Sequence, residues 1–150
     1  MSDRSTGWVF VAVQAVLLVA LIILPGGDDF DRPSWLRIAT DVLFWSGVSL
    51  AVLAGLTLGR ALTATPVPNA SAQLRTSGPY RFARHPIYSG VILIVIAMAA
   101  RSGSLLTVAL AILTLGFFVV KSNWEEARLR ERFERYDAYA TRTGRFFPCI

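Results

Sequence analysis

Four apolar runs, separated by short polar or glycine- and proline-marked segments, set the plan of this chain. The first extends from Trp8 to Leu24, is interrupted only by Gln14, and closes on Pro25-Gly26-Gly27. A cleaved signal peptide would need a small-x-small site after a shorter apolar stretch, so an uncleaved span is expected. The second run, Ile38 to Gly59, is long enough for the ~30 Å hydrocarbon layer, which takes about 20 helical residues. The third and fourth, Ile87 to Ala100 and Ser104 to Val120, are divided only by Arg101-Ser102-Gly103 and predict a helical hairpin. At ~1.5 Å per residue the first arm reaches roughly 20 to 25 Å, less than a full crossing. Either the arm begins at Pro86 and thins the bilayer, or the hairpin stops short of the far face; Arg101 snorkels at the turn in both cases. No breaker separates Val120 from Leu129, so the last helix is expected to continue beyond the membrane to about Phe133.

The predicted fold is therefore all-α: one polytopic membrane domain over residues 1–150. It has about four transmembrane helices (8–24, 38–59, 86–100 and 104–120), the last two a short hairpin, and a cytoplasmic C-terminal helical extension. Within the second span Gly47, Ala51, Gly55 and Gly59 recur every four residues. This spacing lays a smooth ridge along one helix face, suited to close packing of a neighbouring helix and possible as a homodimer contact.

Composition agrees with the pattern. With 54% hydrophobic residues among 150 and a positive mean hydropathy, the chain has more apolar surface than a small soluble core could hide. The net charge of +5 arises from 14 arginines and one lysine, which flank the apolar runs instead of forming a basic stripe with interleaved aromatics, so nucleic acid is not an expected partner. Arg60, Arg75, Arg81 and Arg84 lie between the second and third spans with no acid among them; Lys121 and six arginines follow the fourth. The positive-inside rule puts both segments in the cytoplasm, together with the N-terminus and Arg4, in a bacterial inner membrane. The first loop, with Asp28, Asp29 and Asp31 against Arg32 and Arg37, then faces outward. One cysteine, Cys149, and one histidine, His85, exclude an internal disulfide and leave no cluster for zinc or iron. Cys149 is second from the end, which also excludes a C-a-a-X prenylation signal on the chain itself.

Chemistry concentrates in two places. The long segment Arg60 to Arg84, with Pro66 and Pro68, runs into Ser77-Gly78-Pro79-Tyr80-Arg81-Phe82-Ala83-Arg84-His85-Pro86-Ile87-Tyr88-Ser89-Gly90, too aromatic to be disordered. Pro86 suits the first turn of the third helix, where its missing amide proton costs nothing, and this makes His85 the cap. Free amides and the positive dipole end at that terminus favour a carboxylate. Arginine, histidine and tyrosine are also ordinary interface anchors, and the segment alone does not separate the two readings. After the fourth span, Lys121, Glu125, Leu129 and Phe133 are four apart and share a helix face. Glu126 with Arg130, and Glu131 with Arg135, have the spacing of solvated ion pairs and are assigned a structural role. Glu125 lies one turn from the membrane, where a carboxylate without a purpose is disfavoured.

Together these stretches resemble the isoprenylcysteine carboxyl and phospholipid methyltransferases. Gly78-Pro79-Tyr80 and Arg84-His85-Pro86-Ile87-Tyr88-Ser89-Gly90 match an R-H-P-x-Y-x-G motif. Glu125-Glu126-x-x-Leu129, Phe133, Tyr136, Tyr139 and Arg145 to Pro148 match a C-terminal signature. The resemblance covers roughly residues 70–148 and implies bound S-adenosylmethionine, with Gln73, Leu74, Arg75, Tyr80, His85, Pro86, Ile87 and Tyr88 lining its pocket and Glu125 closing it. The cofactor region would comprise about 70–90 and 121–148. Where the prenylcysteine enzymes are expected to carry an arginine facing the substrate carboxylate, this chain has Lys121, which keeps the charge and loses the planar two-point grip.

The resemblance thus implies methyl transfer to a lipid-like or prenylated carboxylate, amine or thiol that enters from the bilayer, with Lys121, Glu125 and Arg84 as catalytic residues. Lys121 or Arg84 would orient a carboxylate; His85 is the one imidazole able to serve an amine or thiol as base. Two alternatives stand beside it. One is a non-catalytic membrane protein that binds a lipid or a partner through a degenerate cofactor pocket. The other is a sterol-type reductase, against which the small number of spans argues. There is no G-x-S-x-G elbow and no G-x-x-x-x-G-K phosphate loop.

Overall fold

The computed structural model describes residues 3–59 and 74–148. It contains α1 (Asp3–Ile23), α2 (Ser34–Leu58), a 3-10 turn at Gly78–Arg81, α3 (Pro86–Ser102), α4 (Leu105–Arg132) and a short α5 (Tyr136–Ala140). The third helix starts at Pro86 on a His85 cap and the fourth ends with Phe133 as its C-cap, both as expected from the sequence. Three helices, α1, α2 and α4, are long and apolar enough to cross a membrane, while the 17 residues of α3 are not. The 28 residues of α4 span ~42 Å at ~1.5 Å each, so this helix overshoots a bilayer and carries its last turns into water.

Helix α1 packs on α4, α4 on α3, and α3 most extensively on α2. The bundle is apolar outside and small inside. Val16, Ile22, Ile23, Leu56, Ile112 and Leu113 are exposed, whereas Ala54, Ala97, Ala111, Thr114 and Ser122 are buried. That inversion is what lipid permits, because packing in hydrocarbon gains from close backbone approach and not from hiding apolar surface. A modest cluster of Leu21, Val95, Ala99 and Ala111 ties α1, α3 and α4 together.

The glycine ridge of α2 works inside the chain. A Cβ on Gly47 would stand 2.5 Å from the Gly90 carbonyl oxygen of α3, and one on Gly90 would stand 2.5 Å from that of Gly47 and 2.8 Å from the Ala51 Cβ. Gly47 and Ala51 therefore meet α3, and only Gly55 and Gly59 face open space. A homodimer seam built on all four positions has lost half its surface to this intramolecular pair. Gly47→Ala is expected to push α2 off α3 at a cost of roughly 1–3 kcal/mol, measurable as a lowered melting temperature in detergent; Gly55→Ala should leave it unchanged.

The loop after α1 and the α3–α4 turn lie at one end of the bundle. The Gly27 and Asp29 amides donate to the carbonyls of Ser102 and Gly103, each at 2.8 Å, and the Asp29 carboxylate accepts the Leu105 amide at 2.8 Å. Gly103, at φ +67°, provides the left-handed residue that ends α3. Arg101 does not simply snorkel: it pairs with Asp41 of α2, so the turn is tied to both neighbouring segments. Residues 74–85 and the C-terminal segment lie at the opposite end, where the site forms.

Candidate active site

Three segments converge at that end. The residues leading into α3 form an extended edge on which the C-terminal segment lies as a parallel bridge between Ala83 and Gly144. The Arg84 and His85 amides donate to the Gly144 and Arg145 carbonyls at 2.8 and 2.9 Å, and Ser89 Oγ donates to the Phe146 carbonyl. Tyr139 donates its hydroxyl to the Tyr80 carbonyl at 2.6 Å. Burial pushes both phenols up to about 12, so they remain protonated donors at any physiological pH. Beneath this clasp runs the last third of α4.

His85 lies between the two consecutive acids of α4. Its Nδ1 is 3.4 Å from Glu125 Oε2 and its Nε2 is 3.3 Å from Glu126 Oε1, the latter without a hydrogen-bonding angle. Adjacent helical residues point ~100° apart, and the imidazole, set in the groove above α4, fills the angle between them. Its ring stacks on Tyr88 at 5.4 Å with the planes 4° apart, and Tyr88 donates its hydroxyl to Glu125 Oε1. The other side of Tyr88 meets Phe118 at 5.0 Å, while the Lys121 ammonium lies 5.0 Å from its centroid. Lys121, 4% exposed, donates to Gln14 Oε1 of α1 at 2.5 Å.

Of the residues singled out in the sequence, His85, Tyr88, Lys121 and Glu125 are thus brought into one cluster by side-chain contact. Pro86 is buried as the first helical residue, Ile87 is half-buried beside it, and Tyr80 is buried under Tyr139. Leu74 is half-buried and Arg75 exposed, and neither makes a hydrogen bond or ion pair with the cluster. Gln73 lies outside the described residues, as do Arg60, Pro66 and Pro68.

Two assignments change. Glu126, expected as a solvated partner of Arg130, is fully buried; it receives Arg84 Nε at 3.0 Å and Arg145 Nε at 3.2 Å, with Arg130 Nη2 at 3.5 Å on the rim. Arg130 has its closer partner in Asp137, at 3.0 Å. Arg84, expected to orient substrate, instead holds Glu126 and donates to the Ala140 carbonyl at 2.9 Å and to that of Thr143. Its guanidinium is engaged in fastening the C-terminal segment. Helical spacing could not have revealed this, since the partners come from residues 84, 85 and 145. Gln14 was also overlooked as a site residue, although a lone amide in an apolar span is a recognisable signal.

Among the described residues no group of three His, Cys, Asp or Glu side chains is placed to hold a metal ion. Two curated relatives are similar over most of this chain. The nickel-cobalt-cadmium resistance protein NccN of Alcaligenes xylosoxydans xylosoxydans is 31% identical over 140 residues, 91% of this chain and 61% of that protein. The cobalt-zinc-cadmium resistance protein CzcN of Cupriavidus metallidurans is 32% identical over 135 residues, 89% of this chain and 60% of that protein. The chain accordingly spans about three fifths of the length of either. The model of the phospholipid methyltransferase family matches residues 35–136, a stretch that contains all but the first residue of α2, the His85 turn, the hairpin and both acids of α4. A membrane-embedded helical chain with that match over two thirds of its length belongs to the phospholipid methyltransferase family.

Proposed function

We propose that the protein is an S-adenosylmethionine-dependent methyltransferase that modifies a lipid-like substrate at the cytoplasmic face of the membrane. The observation that carries this reading is the meeting of His85 and Tyr88 with Glu125 across the α3–α4 hairpin. These residues suit the cofactor: a buried carboxylate beside stacked aromatic faces is an environment that favours a sulfonium cation. When bound, S-adenosylmethionine supplies a methyl group activated by that positive sulfur. Displacement at such a methyl needs alignment and exclusion of water more than a proton relay. The chain contributes both, through the clasp of residues 139–146 over the His85 turn and through the wall formed by half-buried Tyr88 and buried Phe118. The arginine-rich segments at this end support a cytoplasmic orientation of the site and of both termini.

Saturable binding of S-adenosylmethionine to the purified protein in detergent, competed by S-adenosylhomocysteine and followed by calorimetry, is the expected result. A labelled-methyl assay on total lipid extract should then give a radioactive organic-phase product. Absence of cofactor binding overturns the proposal and leaves a non-catalytic lipid-binding protein. Because both ring nitrogens of His85 face carboxylates, we assign the imidazole to holding Glu125 and not to proton abstraction. A general base contributes about 10²–10⁴-fold, so His85→Gln is expected to lower turnover by less than about tenfold and to leave the pH profile unmoved. A larger loss with a shifted profile would assign it as the base.

The names of the two relatives favour a second, compatible reading, that methylation by this protein contributes to metal tolerance. Cells lacking the chain should then lose growth on cobalt or cadmium, regained with the wild-type gene and not with a Glu125→Gln allele.

A further inference from the structure

Lys121 is 4% exposed, and the described residues offer no carboxylate within ion-pair distance of its ammonium. Two neutral groups hold it instead: the Gln14 amide oxygen at 2.5 Å and the Tyr88 ring face at 5.0 Å. Glu125, one turn further along α4, acts on the ammonium only from beyond ion-pair distance and is occupied by Tyr88 and His85. A buried cation with no carboxylate in ion-pair contact is costly unless something anionic joins it. Gln14 is a half-buried residue, the one interruption of an otherwise apolar span, and it lies outside the stretch shared with the phospholipid methyltransferase family. Beside it, Phe10 packs on Phe117 at 5.9 Å and on Trp124 at 5.3 Å, forming an aromatic wall between α1 and α4.

We propose that Gln14 is the specificity-determining residue on the substrate side of the site: it tethers Lys121 without neutralising it, so that α1 and α4 together select an amphiphile bearing an anionic oxyacid group. A glutamate at this position would pair with the ammonium and cancel the charge; leucine would release it. The amide does neither, and its NH2 remains available to donate to the same anionic group. The inference rests on the methyltransferase reading for the purpose of the seat, but the preference for an anion is a binding property measurable by itself.

The test uses full-length protein in a neutral detergent and three single-chain probes of matched length: a fatty carboxylate, a lysophosphatidate and an uncharged monoacylglycerol, each titrated by calorimetry. Wild type should bind one or both anions at least tenfold more tightly than the uncharged probe, and the stronger of the two identifies carboxylate or phosphate as the source. Gln14→Glu should abolish the preference at neutral pH and recover it when the introduced carboxyl is protonated, a reversal that a packing role for Gln14 would not produce. Should Gln14→Glu fail to fold, Lys121→Met must lose the preference and Lys121→Arg keep it. Equal affinity for all three probes in wild type, or an unchanged preference in Gln14→Glu, overturns the inference. S-adenosylmethionine binding by the same wild-type sample is measured alongside; its absence with an intact anion preference would overturn the enzyme reading alone.

Discussion

Glu126→Ala should cost about 3–5 kcal/mol, the expected penalty when one member of a buried ionic network is removed and its partners are left charged in a poorly solvated place. The carboxylate is fully buried and faces Arg84, whose side chain is 12% exposed, as well as Arg145 and the His85 ring. Loss of the acid leaves Arg84 with the carbonyls of Ala140 and Thr143 alone and releases Arg145 from α4 altogether. For a chain of this size such a penalty corresponds to a melting-temperature drop on the order of 10 °C. Circular dichroism in detergent would read it. Proteolysis should begin in residues 133–148, because the clasp over the His85 turn depends on the same arginines. An unchanged melting temperature together with an unchanged digestion pattern would show that the backbone bridge between Ala83 and Gly144 holds the segment by itself. Glu126→Gln, which keeps an acceptor and removes only the charge, should fall between the two.

The neighbouring acid should behave in the opposite way. Glu125→Gln preserves the shape and an oxygen for the Tyr88 hydroxyl, so the fold should survive with a smaller thermal shift than that of Glu126→Ala. Methyl transfer should nevertheless fall by roughly 10²–10³-fold, the usual consequence of removing a preorganised electrostatic group from a site shielded from water. The measurement is turnover of labelled methyl into lipid beside cofactor affinity on the same preparation. Wild-type turnover in Glu125→Gln would remove Glu125 from the machinery. The contrast between two adjacent glutamates is itself informative: one step along the helix turns the side chain by ~100°, which directs Glu126 under the arginines and Glu125 toward the tyrosine and the lysine.

Much of this was legible from the chain. The His85-Pro86 helix start followed from proline's fixed φ and missing donor, and the end of α4 near Phe133 from the lack of any breaker after Val120. The grouping of Tyr88, Lys121 and Glu125 with His85 was available through resemblance, since spacing alone only placed Lys121 and Glu125 on one face. What escaped were three contacts whose partners come from far along the chain and that no motif records: Gln14 with Lys121, Arg101 with Asp41, and the triple engagement of Glu126.

Local rules on the sequence determined the elements, because hydrophobic run length, proline and glycine act over a single turn or a single span, and the bilayer demands helices wherever such runs occur. Only the tertiary structure decided that Glu126, expected in a solvated pair, is a buried hub held by Arg84 and Arg145. It also decided that Arg84 fastens the C-terminal segment and that half of the glycine ridge is consumed by Gly90. The reason is physical: a charged or small residue acquires its role from the groups that surround it, and those groups are set by helix packing across tens of residues that no local pattern records.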